Sequence, residues 1–291
     1  MDNKFTDIHT QDFKFNDGWG KIHAISTGTV SVKEAFRSTK KNQWTSKLEF
    51  ILQNKFTAPL PIWVWVIEHP EGKFVIDTGE NSKVSEPDYF SQEGILKEWI
   101  NKNQFKFNVN KDRELHNLLP KLNIEIDHID QVLLTHLHLD HIDGLKFFSN
   151  QKVLLNKEEW EKPSFALKSL LPENFNPSLF ETNESHLDFK NTKSITKARD
   201  LHFIHTPGHT FGHCSILASN DRHDHIFFGG DMTYTSDQLK YSEMSGGHID
   251  FKKAQNTIKT VSEFCKANKA IFLPSHDPYA GLRLQERNYF S

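Results

Sequence analysis

The apolar residues of this chain fall into short runs whose spacing predicts the elements. Ile62-Trp63-Val64-Trp65-Val66-Ile67 is an unbroken β-branched and aromatic run. It is followed by His69-Pro70-Glu71-Gly72 and then by Lys73-Phe74-Val75-Ile76, ending in Asp77-Thr78-Gly79. Two such runs around a Pro/Gly turn predict a β-hairpin. Strand-prone segments also occur at Ile22–Val32 (broken at Gly28), Gln131–Thr135, Gln151–Leu155, Leu201–His205, Cys214–Ala218, His225–Phe228 and Ala270–Leu273. Helical periodicity is clearest over Asp250–Ala267, where Phe251, Ala254, Ile258, Val261 and Cys265 recur at intervals of three and four and make one buried stripe. Residues 80–125 read as largely helical, with Gly94–Asn101 and Asp112–Leu119 the better segments, and Glu158–Trp160 opens a further helix. Residues 1–20 are polar and aperiodic and read as an arm, while 36–58 carry no clear period. The stretch 161–185, with three prolines, reads as an inserted loop or lid.

Strand-rich halves with helices attached to each predict sheets packed on sheets with helices outside, an α/β or α+β chain forming one domain over 1–291. The length of 291 residues leaves room for a substantial core. A mean hydropathy of −0.60 and the lack of any apolar run of about 18 residues argue against a membrane-spanning helix. With 35 Lys+Arg against 38 Asp+Glu the net charge is −3, which argues against a nucleic-acid partner. The two cysteines, Cys214 and Cys265, are far apart, so neither a disulfide framework nor a thiolate metal site is expected. The opening Met1-Asp2-Asn3-Lys4-Phe5 has no basic-then-apolar leader pattern, and a cytoplasmic location is the expectation. Two excesses remain, 17 histidines and 24 phenylalanines. Histidine is the commonest metal ligand, whereas phenylalanine is first of all core filler.

The chemistry concentrates in Thr135-His136-Leu137-His138-Leu139-Asp140-His141, directly after an apolar strand. Three imidazoles and a carboxylate stand within six residues. Along extended backbone His136 and His138 share a side, and Asp140 and His141 follow where the chain turns, so the segment offers two ligand pairs to two adjacent cations. The competing reading is a cluster of solvated loop histidines, a poor use of four polar residues closing a buried strand. Two coordination spheres need further ligands, since such sites take about three protein ligands each. His209 in Thr206-Pro207-Gly208-His209-Thr210, Asp231 after Phe227-Phe228-Gly229-Gly230, and His276 after Phe272-Leu273-Pro274-Ser275 each follow an apolar strand and a turn.

This array resembles the metallo-β-lactamase superfamily, whose HxHxDH motif is followed by a distant His, a bridging Asp and a last His. The separations of 68, 22 and 45 positions between His141, His209, Asp231 and His276 resemble the N-acyl homoserine lactonases of that superfamily. The resemblance runs over roughly residues 60 to 285 and implies an αββα sandwich of two facing mixed sheets flanked by helices. It implies that His136, His138 and His209 hold one metal, that Asp140, His141 and His276 hold the second, and that Asp231 bridges them. Nitrogen and carboxylate donors without thiolate suit two zinc ions, with cobalt, manganese and iron as other candidates. Flavo-di-iron proteins resemble the array but carry Glu where this chain has His138. The kinship also implies a homodimer.

Tyr234, three positions after Asp231, resembles the lactonase tyrosine whose phenol faces the lactone carbonyl; packing at the cleft rim is its alternative role. The implied reaction is opening of an acyl homoserine lactone ring by hydroxide generated at the metals. Tyr234 steadies the oxyanion and Asp140 gives a proton to the leaving ring oxygen. The rivals are a phosphotriesterase, a glyoxalase II-like thioesterase, for which Arg283-Leu284-Gln285-Glu286-Arg287 lacks a lysine cluster, and a metal-binding module without turnover. Asp77 reads either as the carboxylate orienting a ligand histidine or as a turn cap. His213 reads as a supporting rather than ligating residue, Asp143 as capping or stabilising the next segment, and His205, His223, His225 and His248 as solvated or structural. Leu139, where many lactonases resemble one another in having Phe, and Phe211, where many members have Pro, put the shape of the acyl pocket in question. Phe105–Phe107, Phe147-Phe148 and Phe165 are the candidates for its apolar wall.

Overall fold

Alternation within the central strands sorts the apolar residues into three layers of contact. The computed structural model describes residues 8–40 and 42–291. Eight strands make the first sheet: β1 (Ile8–Lys14), β2 (Trp19–Val32), β3 (Leu60–His69), β4 (Gly72–Ile76), β5 (Phe105–Asn108), β6 (Gln131–Leu133), β7 (Lys152–Asn156) and β8 (Ser178–Phe180). Their order is β1-β2-β3-β4-β6-β7-β8 with β5 paired to β2, antiparallel as far as β4 and parallel from β4 to β8. The second sheet orders β9 (Glu184–His186), β10 (Phe189–Ser194), β11 (Leu201–His205), β12 (Cys214–Ser219), β13 (His225–Gly230) and β14 (Ile271–Pro274) antiparallel, except for the parallel pair β13/β14. The helices are α1 (Glu34–Arg37), α2 (Gln43–Leu52), α3 (Ile95–Gln104), α4 (Leu115–Leu118), α5 (Leu139–Ile142), α6 (Lys157–Glu161), α7 (Ser236–Tyr241), α8 (Phe251–Ala267) and α9 (Ala280–Gln285).

Trp63, Trp65 and Ile67 of β3 face Phe203, Ile216, Phe228 and Leu273 of the second sheet and form the central core. The intervening Val64 and Val66 turn to the other face and pack with Leu115 and Leu118 of α4. On the far side of the second sheet, Leu217, Phe227 and Phe272 pack against Ile258, Val261, Phe264 and Cys265 of α8. Helix, sheet, sheet and helix thus stack as the resemblance implies, and both sheets are mixed. Asp250 caps α8 by accepting from the Lys253 N–H at 2.9 Å, and the predicted stripe is its buried face.

Several sequence expectations are corrected. The described part of the arm over 1–20 contains β1, because Phe13 and Phe15 pack into the central core; its residues 1–7 lie outside the described residues. The described part of 36–58 contains α2, and the break at Gly28 is a slip in the register of one continuous β2. The region 80–125 is less helical than its pattern, since Phe105–Asn108 is a strand and the helix expected over 112–119 spans only Leu115–Leu118. Within 161–185, residues 178–180 close one sheet and 184–186 open the other. Among the described residues no helix is long and apolar enough to cross a membrane.

The ends of β4, β6, β11, β13 and β14 meet at one rim. There the sheets are stitched together by Cys214 N–H to the Thr135 carbonyl (2.9 Å) and Trp63 N–H to that of Ser275 (3.0 Å), while Ser275 N–H to the Gly230 carbonyl (3.1 Å) extends the β13/β14 pair within the second sheet.

Candidate metal centre

At that rim β6 hands on to Thr135-His136-Leu137-His138. Leu137 turns into the apolar cluster behind the first sheet while the rings of His136 and His138 meet edge to face at 4.5 Å. His138 precedes α5, and Asp140 and His141 lie in its first turn. His209 comes from the loop between β11 and β12, Asp231 follows β13 and His276 follows β14. His136, His138, His209 and Asp231 offer ligand atoms that all lie within 4.8 Å of one another, as do Asp140, His141 and His276. Asp231 stands between the groups. Its Oδ2 is 3.5 Å from His209 Nε2, and its Oδ1 is 3.3 Å from His141 Nε2 and 3.4 Å from His276 Nε2. The Oδ2 of Asp140 is 3.4 Å from His276 Nε2.

Four of these imidazoles have their outer nitrogen engaged. His141 Nδ1 donates to Asp77 Oδ2 (2.7 Å), His276 Nδ1 to the Pro61 carbonyl (2.9 Å), and His138 Nε2 to that of Ser164 (3.1 Å). His136 Nδ1 bonds Thr135 Oγ1 at 3.0 Å. Such outer partners fix which nitrogen is free to face a metal. Facing inward, His136 Nε2, His141 Nε2 and Asp231 Oδ1 are buried without a hydrogen-bond partner, and His209 Nε2 sits 2.8 Å from His138 Nδ1. Convergent lone pairs buried in this way are costly unless something satisfies them. The donor set therefore fits a pair of divalent transition-metal ions.

The electrostatics agree. Burial, then the neighbouring imidazoles, holds His136 and His209 well below the ordinary histidine range, and burial lowers His138 as well. Neutral imidazoles are the form that binds metal. Burial also pushes His141 and His276 down, but the Asp231 carboxylate and its acidic neighbours outweigh it and raise both. Burial raises Asp231, yet His276 and His141 beside it hold its carboxyl well below the usual range.

A cleft opens over the centre. His138, Asp140, Asp231 and His276 form its floor with Tyr234, and Val30, Val32, Phe36, Phe50, Ile100, Phe105, Phe107, Leu139, Phe165 and Leu167 line its walls. Tyr234 is buried, its ring stacked on His276 at 5.2 Å and 23°. Burial, reinforced by the Asp231 and Asp140 charges, pushes its phenol well above the ordinary value, so it stays protonated and able to donate at neutral pH.

All seven candidate ligands and Tyr234 meet here. Asp77, in the left-handed region at φ 59°, orients His141 and also accepts from the Thr135 N–H at 2.8 Å. His213 supports rather than ligates: its Nδ1 is 2.8 Å from Thr206 Oγ1 and its Nε2 accepts from the Asp231 N–H at 3.1 Å. Gly230 (φ 57°) makes room for this ring, since a Cβ there would lie 2.6 Å from His213 Nε2. Asp143 bonds Tyr89 and Asn81 instead of capping the segment after it. His248 is buried against the site, its ring 6.1 Å from that of His209, and is not solvated. Phe147 and Phe148 belong to the cluster behind the first sheet and leave the wall to Phe105, Phe107 and Phe165, joined by Phe36 and Phe50. Phe211 is absent from the lining, whereas Leu139 belongs to it. Sequence reading missed Glu159, fully buried in α6. It sits among charged neighbours in Lys157-Glu158-Glu159-Trp160-Glu161, which carry no signal of burial.

Comparison with known proteins agrees with this geometry. The chain is 24% identical over 221 residues to an N-acyl homoserine lactonase of Bacillus sp, covering 75% of this chain and 82% of the relative. It is 23% identical over 273 residues to N-acyl homoserine lactonase AttM of Rhizobium johnstonii, covering 89% and 94%. A solved structure of an N-acyl homoserine lactone hydrolase, with the product N-hexanoyl-L-homoserine at its catalytic metal centre, superposes with a TM-score of 0.71 at 19% identity, over 91% of this chain and 94% of that one. The family model of the metallo-beta-lactamase superfamily matches residues 57–276, and with the two-sheet fold and its rim of histidines and aspartates the chain belongs to that superfamily.

Proposed function

We propose that this metal-dependent hydrolase opens the lactone ring of N-acyl homoserine lactones, giving N-acyl homoserines and so quenching quorum-sensing signals. Tyr234 carries the reading: a buried, protonated phenol beside the metal centre, at the foot of an apolar cleft suited to an acyl tail. The curated relatives bear the lactonase name, which supports the same choice of substrate.

When bound, two divalent ions, zinc in this reading, supply Lewis acidity and make hydroxide available from water near neutral pH. The residues of the chain do the rest. His136, His138 and His209 form one position, and Asp140, His141 and His276 the other, with Asp231 offering an oxygen to each side. Tyr234 donates to the lactone carbonyl oxygen as its charge develops. The oxygen of water adds to the carbonyl carbon and the bond to the ring oxygen breaks. Asp140, on the cleft floor, passes the proton of that water to the departing oxygen. The new carboxylic acid then ionises and releases one proton. The phenylalanine wall holds the acyl chain and fixes the ring over the floor.

Proton release from the zinc-loaded protein with a long-chain N-acyl homoserine lactone near pH 7.5 tests the proposal. Turnover is expected, abolished by Asp231→Asn and lowered about 10²–10³-fold by Tyr234→Phe. No release above the uncatalysed rate, with two ions bound, would sink it and move the assignment to phosphotriesters or thioesters. Silence on all three substrate classes would leave a metal-binding module.

A further inference from the structure

Outside the ligands, one buried carboxylate touches both loops that carry the first metal position. Glu159 has no exposed surface. Its Oε1 accepts from the Leu137 N–H at 3.1 Å, between His136 and His138. Its Oε2 accepts from Thr210 Oγ1 at 2.6 Å and from the Gly212 N–H at 3.1 Å, on the loop that carries His209. The fit is close, for a Cβ on Gly212 would lie 2.1 Å from the Glu159 backbone nitrogen. The helix bearing Glu159 is itself anchored, since Asn156 accepts from the Glu158 N–H at 2.8 Å and donates to Cys214 Sγ at 3.2 Å. Burial pushes the Glu159 carboxyl up to about 7 against the pull of its three donors. A buried carboxylate is expensive unless such donors satisfy it, so here it serves as a tie between two distant segments.

We infer that Glu159 is a positioning residue for the metal centre, which sets the approach of His136 and His138 to His209 and thereby the affinity of the first metal position alone. The second position depends on other anchors, Asp77 behind His141 and the Pro61 carbonyl behind His276. The inference rests on the two-metal part of the proposed function and is independent of the substrate.

Cobalt(II) titration of the metal-stripped full chain against a competing chelator, monitored by visible absorption, tests it. His209→Ala, which keeps only the second group intact, identifies the affinity that belongs to the second position. In Glu159→Gln, which sets an amide NH2 against donors, the first position is expected to weaken about 10–100-fold while the second keeps its wild-type affinity. Equal weakening of both positions, or no change in either, would overturn the inference. Should Glu159→Gln fail to fold, Thr210→Val and Thr210→Ser decide. Loss of affinity at the first position in the valine variant, restored in the serine variant that keeps the hydroxyl, supports the tie, and wild-type affinity in both variants overturns it. If the unaltered protein takes up fewer than two ions, the two-metal reading fails instead.

Discussion

Asp77 takes a left-handed backbone turn at the end of β4 to bring one carboxylate to both His141 Nδ1 and the Thr135 N–H. Asn tolerates that conformation and still offers an oxygen to Thr135. Asp77→Asn should therefore fold, yet it removes the negative charge that holds the His141 Nδ1 proton. Metal affinity at the second position should fall about 10–100-fold with little change in thermal stability of the metal-free protein, read by cobalt titration and calorimetry. An unchanged affinity would reduce Asp77 to a turn residue. The candidate ligands themselves were legible in the sequence, because four stand within six residues and the other three each come after an apolar strand and a turn. Glu159 and His248 were not. Nothing local marks them, and their burial is decided by loops that arrive from distant parts of the chain.

Elements were legible where the apolar pattern is strong, either as a helical stripe or as an unbroken strand run. The stripe of α8 and the runs of β3 and β4 needed no tertiary information. The missed strands β1, β5, β8, β9 and β10 are short, polar or peripheral. In Phe105-Lys106-Phe107-Asn108 the alternation lasts four residues directly after a helix, too briefly to overturn a helical reading. That miss touches function, since Phe105 and Phe107 wall the cleft. The predicted stripe has a measurable consequence. Ile258 is buried between α8 and the second sheet, with Leu217, Phe227 and Phe272 in the same cluster. Ile258→Ala should lower unfolding stability by about 2–5 kcal/mol, with the urea midpoint shifted and its slope retained. Because α8 packs on the face of the second sheet turned away from the central core, metal stoichiometry should stay at the wild-type value. A cost under about 0.5 kcal/mol would contradict the packing.

At the scale of the molecule, the layering comes from alternation in a few strands, but the sequence does not say where the chain crosses from one sheet to the other. That crossing lies between β8 and β9, inside the stretch read as an inserted loop. The second sheet also carries histidines that the metal centre does not use. His202 of β11 is fully buried and stacks on His186 of β9 at 3.7 Å and 12°. Burial, aided by His186 and Arg199, pushes His202 down to about 3, and burial lowers His186 too. In the unfolded chain a histidine titrates near 6.5. Between those values the unfolded state binds the proton and the folded state does not, so the contribution of His202 is complete above about pH 6.5 and is lost as pH falls towards 3. For that one group the loss approaches about 1.4 kcal/mol per pH unit. His202→Phe keeps an aromatic ring in the stack and removes the titration. Urea unfolding from pH 7.5 to 4.5, run on metal-stripped protein, should give a shallower decline in the variant than in the unaltered chain. The ligand histidines titrate in both proteins, so the difference between the two curves isolates His202, and parallel curves would show that its ring already takes up a proton in the folded state.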